Sequence, residues 1–273
     1  MFSCGDFTFP LGKKTYVMGI LNYTPDSFSD GGSYFSPDRA LERAAEIEKQ
    51  GADIIDIGAN STRPGAEILS EEQELARLRE VLECLKGKVS LPVSVDTFYP
   101  ACAQYALENG AVIINDVSGK FNEETARLVK AKKAAYIVTH NPCGADKEEP
   151  YPLGAPTAVR QFFLDCLEKA SDTGLGFSHL CLDPGFGFGK SREDDCEILR
   201  DMRMLKFSGI ALLAGLSRKR FTSPYEGSSP DGRDITTSVA NALAIAGGAD
   251  IIRVHNVPFG VETAAFADRI IRK

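Results

Sequence analysis

One pattern repeats along the whole chain: a short run of β-branched and apolar residues, a polar connection, then a stretch with apolar residues at helical spacing. The apolar runs predict strands at Thr15 to Asn22, Asp53 to Gly58, Pro92 to Asp96, Val112 to Asp116, Ala134 to His140, His179 to Asp183, Ile210 to Leu216 and Ile251 to His255. Between them, helices are expected at Pro37 to Gln50 and Glu71 to Lys86. More follow near Tyr99 to Asn109, Glu123 to Lys132, Ala158 to Thr173, Glu193 to Lys206, Thr237 to Ala246 and Glu262 to Arg272. Ser36 followed by Pro37 is a helix start, with a capping hydroxyl and a proline at the first turn. Strict alternation calls for a parallel sheet, and eight repeats favour a closed (β/α)8 TIM barrel over an open doubly wound sheet. An open sheet would normally show a glycine-rich nucleotide turn after its first strand. No low-complexity segment or hinge-like linker divides residues 1–273, so one domain is expected.

Composition narrows the partners. A 43% hydrophobic and 25% charged chain is that of a soluble globular protein, and a net charge of −7 argues against a nucleic-acid or anionic-membrane partner. There is no polybasic run, no apolar stretch near the ~20 residues of a membrane span, and no signal peptide at the Met1 end, so a cytoplasmic protein is expected. Seven cysteines, odd in number and without a Cys-x-x-C pair, argue against a disulfide framework or a zinc site. Most are expected to be small core residues.

Strand parity separates the faces. Residues two apart share a side, so Ser94 with Asp96, Ile113 with Asn115, Cys181 with Asp183, and Arg253 with His255 each form one face. Val93 with Val95, Ile114 with Asp116, Leu180 with Leu182, and Ile252 with Val254 form the other. In a barrel the mainly apolar set must meet the helices, leaving the polar set inside at the carboxyl ends of the strands. Burying unpaired charges costs several kcal/mol each, against ~5–15 kcal/mol for a whole domain. Such a set points to an active site, with a self-satisfied ion-pair network as the structural alternative.

The connections supply further candidates. Asp53 to Glu67 runs from a strand into a polar loop ending Thr62-Arg63-Pro64-Gly65; a hydroxyl and a guanidinium on a proline-stiffened loop suggest a ligand side, a solvated loop being the alternative. Asn22 ends the first strand before the long, turn-rich Tyr23 to Gly32, and its amide oxygen could serve a metal or ligand. Asp183 to Ser191 ends in Gly-Lys-Ser, yet a Walker loop needs glycine at the place of Pro184 and is rejected. Its glycines instead allow a tight path presenting Phe186 or Phe188 at the mouth, core packing of those rings being equally open. Ser217, Arg218, Lys219 and Arg220 follow the seventh strand, beside Arg253 and His255, where barrels of this class often bind anions. His140 is either a satisfied core histidine or a ligand group; His179 is expected to be structural.

Together Asp96, Asn115 and Asp183 can accept from and donate to a flat heterocycle, a carboxylate matching the two parallel N–H donors of a 2-amino-4-oxo pyrimidine edge. Lys219 could hold the ring carbonyl, and a phosphorylated group could sit against Arg253, His255 and the first loop. No serine or cysteine nucleophile has a base partner, which favours displacement of an anionic leaving group over covalent catalysis.

With those loops in this order, the chain resembles the dihydropteroate synthase family from about Met18 to Val257. The resemblance is carried by Leu21 to Gly32, Ser61-Thr62-Arg63-Pro64-Gly65-Ala66, Val95-Asp96-Thr97, Asn115-Asp116-Val117-Ser118-Gly119, Leu182 to Lys190, Ser217-Arg218-Lys219 and Arg253-Val254-His255. It implies a barrel that condenses 6-hydroxymethyl-7,8-dihydropterin diphosphate with 4-aminobenzoate, releasing pyrophosphate, with Mg²⁺ on the pyrophosphate. By matching position it implies that Asp96, Asn115, Asp183 and Lys219 bind pterin. It further implies that Asn22, Arg63, Arg253 and His255 hold pyrophosphate and metal, and that Thr62, Pro64, Phe188 and Ser217 face aminobenzoate. The family's dissociative mechanism, pairing of subunits through the late helices, and competition by sulfonamides are likewise implied.

The chain departs from the family pattern at several points. Asn60 stands for a usual Glu and Ala59 for Gly, His140-Asn141-Pro142-Cys143-Gly144 replaces a His-Met sequence, and Asn256 replaces Asp. Asp231 to Thr237 lacks the usual Glu-Arg-Leu and Gly-Thr pattern. Two other classes share parts of the site: a non-catalytic or corrinoid methyltransferase-like pterin-binding module, and an aldolase using Lys219 as a Schiff base.

Overall fold

Two strands outside the expected eight open the chain: β1 (Phe2–Cys4) and β2 (Phe7–Phe9) form an antiparallel hairpin. They escape sequence reading because three-residue strands leave no usable periodicity. The computed structural model describes residues 1–24, 36–60, 68–142, 151–223, 229 and 231–272. The expected barrel follows, made of β3 (Tyr16–Asn22), β4 (Ile54–Gly58), β5 (Val93–Asp96), β6 (Ala111–Asp116), β7 (Ala135–Thr139), β8 (Leu180–Asp183), β9 (Ala211–Ala214) and β10 (Ile251–Val254). All eight are parallel and adjacent in chain order, and β10 returns to pair with β3.

Around it run α1 (Pro37–Lys49), α2 (Glu71–Leu85), α3 (Pro100–Glu108), α4 (Glu123–Ala131), α5 (Ala155–Thr173), α6 (Arg192–Arg200), α7 (Asp234–Ala246) and α8 (Val257–Ile271). Several of their starts are set by side chains that take up otherwise unpaired N–H groups. Ser36 caps α1, Asn122 caps α4, and Ser70 and Ser191 form reciprocal capping boxes with Gln73 and Asp194. Three expectations are corrected. The sixth helix stops at Arg200 and passes into a 3-10 turn at Met202–Leu205. The seventh barrel strand spans only Ala211–Ala214, shorter than Ile210 to Leu216, and the turn that follows it is at Ser217 and Arg218. The last helix begins at Val257 rather than Glu262: Asn256 accepts from the N–H of Phe259, Pro258 fits the first turn, and Gly260 lies where a Cβ would come within 2.9 Å of Val254.

The core has two layers, divided as parity requires. Val93, Val95, Ile114, Leu180, Leu182, Ile252 and Val254 face the helices. Inside the barrel Tyr16, Met18, Ile54, Ile113, Ile137, Cys181, Leu213 and Ile251 form a second cluster, sealed from below by Phe2, Cys4 and Phe9 of the hairpin. Each such buried side chain contributes about 1.5–3 kcal/mol. The floor is therefore apolar and closed, and the polar inner residues gather at the opposite rim. Among the described residues, Cys4, Cys102, Cys166 and Cys181 are buried, Cys84 is half-buried, and Cys196 is exposed; these six are free thiols, and Cys143 lies outside the described residues.

Candidate active site

Register builds the site. Asn22 lies beside Gly58, Gly58 beside Asp96, and Asp96 beside Asn115 across four adjacent strands. Because residues in register share a face, one rung of the ladder carries an amide, a gap, a carboxylate and a second amide to the mouth. The gap is real: a Cβ on Gly58 would stand 3.7 Å from Asn22 Oδ1 and 3.9 Å from the Asp96 Cβ. Thr139 pairs with Asp183 in the same manner on the far side.

Arg253 rises from β10 into the centre. Its Nε donates to Asp56 Oδ2 at 2.6 Å and its Nη2 to Asp96 Oδ2 at 2.9 Å. Asn115 Nδ2 donates to the same Asp56 oxygen at 3.2 Å. These bonds occupy two of the five guanidinium donors. Asp56 is fully buried and was not among the sequence candidates, because a single Asp in Ile54-Ile55-Asp56-Ile57 reads as part of an apolar strand. The available signal was parity, since Asp56 shares a face with Gly58. Opposite, Asp183 Oδ1 accepts the Gly185 N–H at 2.7 Å, and Lys219 Nζ stands 4.0 Å over the Phe188 ring. Ser217 Oγ accepts from the His255 N–H at 3.1 Å and lies 2.9 Å from His255 Nδ1. All of Asn22, Asp96, Asn115, Asp183, Phe188, Ser217, Lys219, Arg253 and His255 thus reach the carboxyl rim. Thr62, Arg63 and Pro64 lie outside the described residues.

Burial dominates the electrostatics. It pushes the Asp96 carboxyl up to about 7 against the opposing pull of Arg253, and raises Asp183 against the Gly185 N–H and Lys219. It also lowers Lys219 to about 8, although Asp183 works the other way. Several buried acceptors on the inner face, Asp56 Oδ1, Ser94 Oγ, Asn115 Oδ1 and Thr139 Oγ1, have no protein partner among the described residues. Buried polar groups left so are costly, and a cluster of them beneath a polar mouth is suited to a ligand rich in N–H donors.

Remaining alternatives resolve by packing. Phe186 is fully buried and stacks on Phe221 at 5.7 Å, so Phe188 alone of the two serves the mouth. His140 is buried edge-on to Phe162 at 5.2 Å, and burial holds it neutral, down to about 3, while its Nδ1 has no partner among the described residues. His179 Nδ1 meets the Ala134 carbonyl at 2.9 Å, a structural role. The lysine of Gly-Lys-Ser turns inward, to backbone carbonyls. Buried Lys190 donates to the carbonyls of His140, Gly185 and Phe188 at 3.0, 2.8 and 3.2 Å, stapling the β7 and β8 loops. Asp116, on the outer face, accepts from Tyr136 at 2.6 Å and from the Ser118 N–H at 2.8 Å, shaping its loop. Asn60 links Leu69 N–H, which it accepts at 3.3 Å, to buried Glu74, to which it donates at 2.9 Å.

A closed barrel whose carboxyl rim gathers the carboxylates Asp96 and Asp183, the amides Asn22 and Asn115 and the cations Lys219 and Arg253 is suited to a polar ligand, and comparison gives its class. The chain belongs to the pterin-binding enzyme family, whose pattern it matches over residues 18–255. It is 40% identical to the dihydropteroate synthase of Synechocystis, over 98% of this chain and 94% of that one. Among solved structures, the dihydropteroate synthase of Clostridium difficile, determined with pteroic acid, is 37% identical with a TM-score of 0.89 over 97% of this chain and all of that one. The Xanthomonas albilineans dihydropteroate synthase, determined with 4-aminobenzoic acid, is 35% identical with a TM-score of 0.87, covering 95% and 94%.

Proposed function

We propose that the protein condenses 6-hydroxymethyl-7,8-dihydropterin diphosphate with 4-aminobenzoate to dihydropteroate and pyrophosphate, within one barrel domain. The observation that carries this reading is the rung of Asn22, Gly58, Asp96 and Asn115, faced by Asp183 and by Lys219 over Phe188. The heterocycle lies with its N–H edge on Asp96, Asn115 and Asp183 and its carbonyl toward Lys219. Its diphosphate then points to Asn22, Arg253 and His255, and to Arg63 by family resemblance. The C–O bond to the diphosphate breaks first, its electron pair leaving with the anion. Asp96, as carboxylate, stabilises the cation spread over the ring. The aniline nitrogen, held on the side of Ser217 and Phe188, and of Thr62 and Pro64 by family resemblance, forms the new C–N bond and releases a proton.

Magnesium fits this scheme as an ion carried by the diphosphate. Among the described residues no three His, Cys, Asp or Glu side chains group to hold a metal; Asn22 would offer one neutral oxygen, and the rest would come from water and the diphosphate. Bound there, Mg²⁺ would offset charge on the leaving group.

The decisive experiment measures pyrophosphate release from dihydropterin diphosphate and Mg²⁺, with and without 4-aminobenzoate, in the wild type and in Asp96→Asn. Release should be matched by dihydropteroate, inhibited by a sulfonamide in competition with aminobenzoate, and about 10²–10³-fold slower in the variant. Tight pterin binding without turnover would instead identify a binding module. A pH profile adds a second check. Below about 7 Asp96 takes up a proton, and above about 8 Lys219 loses one, so kcat/KM should fall on both sides. The acid limb should vanish in Asp96→Asn; its persistence would mean that another group carries the titration and that Asp96 does not stabilise the cation.

On the outer surface, Ile235, Val239 and Leu243 are exposed at four-residue spacing on α7, beside exposed Phe259, Phe266 and Ile270 on the adjoining α8. An apolar stripe of this kind supports a homodimer through these helices. Val239→Glu with Phe266→Glu should convert a dimer to a monomer in sedimentation; a monomeric wild type would defeat the idea. No described helix is long and apolar enough to cross a membrane, and the free thiols suit a reducing, cytoplasmic setting.

A further inference from the structure

Arg218 stands between two residues of the site, Ser217 and Lys219, in a conformation that side chains disfavour. Its φ is +59°, and among the described residues only Lys133, at +53°, joins it as a non-glycine with positive φ. Three groups at the start of α7 hold it there. Its Nε and Nη2 donate to the two Asp234 carboxylate oxygens at 2.8 and 2.9 Å, its backbone N–H donates to Thr237 Oγ1 at 3.2 Å, and its carbonyl accepts from Arg233 Nη1 at 3.0 Å. Asp234 also reaches the last barrel loop, where Asn256 Nδ2 donates to Oδ2 at 2.9 Å while Asn256 Oδ1 caps α8. One carboxylate therefore joins the turn carrying Ser217 and Lys219 to the segment carrying His255, and the hydrogen bonds between Ser217 and His255 close the loop. A bidentate carboxylate fixes a guanidinium in plane as well as in place, which is what a backbone held against its preference requires.

We propose that Asp234 is a positioning residue: it clamps Arg218 in the left-handed conformation and thereby sets Ser217 and Lys219 against His255 and Phe188. The inference deepens the synthase reading and rests on it for its kinetic test. Losing the clamp lets residue 218 relax toward negative φ, and a displacement near 1 Å of groups that orient substrate costs up to about 100-fold in rate.

The test separates conformation from charge. Asp234→Asn and Arg218→Ala both break the ion pair and leave a Cβ in the strained position, so both should lower kcat/KM by about 10–100-fold, with a raised KM for 4-aminobenzoate. Arg218→Gly breaks the same pair but adopts positive φ freely, and should retain most of the wild-type kcat/KM. Asp250→Asn, which disturbs the Lys206–Asp250 ion pair at the floor of the barrel, should lower the melting temperature without moving KM. Equal losses in Arg218→Ala and Arg218→Gly would overturn the proposal and make the guanidinium a direct substrate contact. Unchanged kinetics in Asp234→Asn would overturn it in favour of a purely structural ion pair. Absence of turnover in the wild type would count against the synthase reading alone. Pterin binding, followed by its fluorescence across the same variants, would then still read the placement of Lys219, and equal affinities in Arg218→Ala and Arg218→Gly would reject the clamp.

Discussion

Arg253→Met is expected to destabilise the protein by about 3–5 kcal/mol and to lower kcat/KM by about 10²–10³-fold. Asp56 is fully buried and Asp96 nearly so, and both accept from this single guanidinium, at 2.6 and 2.9 Å. Removing it leaves two carboxylates facing each other in a closed barrel, the arrangement that buried ion pairs tolerate least. The two effects can be parted. Adding Asp56→Asn to Arg253→Met removes one orphaned charge and should recover part of the stability in denaturant melts, while product formation stays low because the leaving group still lacks its cation. A variant as stable as the wild type would show that Arg253 does not offset the charge of the two carboxylates.

Gly185→Ala is expected to be nearly as damaging, costing about 2–4 kcal/mol and most of the activity. The residue has φ +68°, and a Cβ there would lie 1.9 Å from the His140 carbonyl oxygen. Because that oxygen belongs to backbone, no side-chain rotation relieves the contact; the β7 and β8 loops must separate. They are joined by Lys190, and the Gly185 N–H holds Asp183, so separation carries the pterin carboxylate with it. Melting temperature and kcat/KM should fall together, and pterin affinity with them. A variant that loses stability but binds pterin normally would mean that Asp183 is placed by its strand alone.

What the sequence disclosed follows the range of the interactions involved. Strand and helix alternation, parity and loop chemistry are local, and from them came the barrel, its polar inner rim and the rim positions of Asp96, Asn115, Asp183 and Lys219. The partners of Arg253 lie 197 and 157 residues away, so sequence could suggest an anion site there but not a guanidinium already shared between two carboxylates. Lys190 was hidden for a related reason: the missing glycine at Pro184 ruled out a phosphate loop, but the three carbonyl partners that give the lysine its role exist only once two loops touch. The hairpin was invisible because its strands are shorter than the window over which periodicity can be seen. Two departures from the family pattern, Asn256 and the segment around Asp234, lie well apart in the chain and are hydrogen-bonded to each other in space.

The hairpin bears on how the molecule is made. Phe2, Cys4 and Phe9 emerge from the ribosome before any residue they seal against, and their partners run from Tyr16 to Ile251. Contacts of such sequence separation form late, since the intervening chain must be ordered first. The hairpin is therefore expected to be among the last elements to find its place, and until β10 is released the floor of the barrel is an open apolar ring, exposed to association with another unfinished chain.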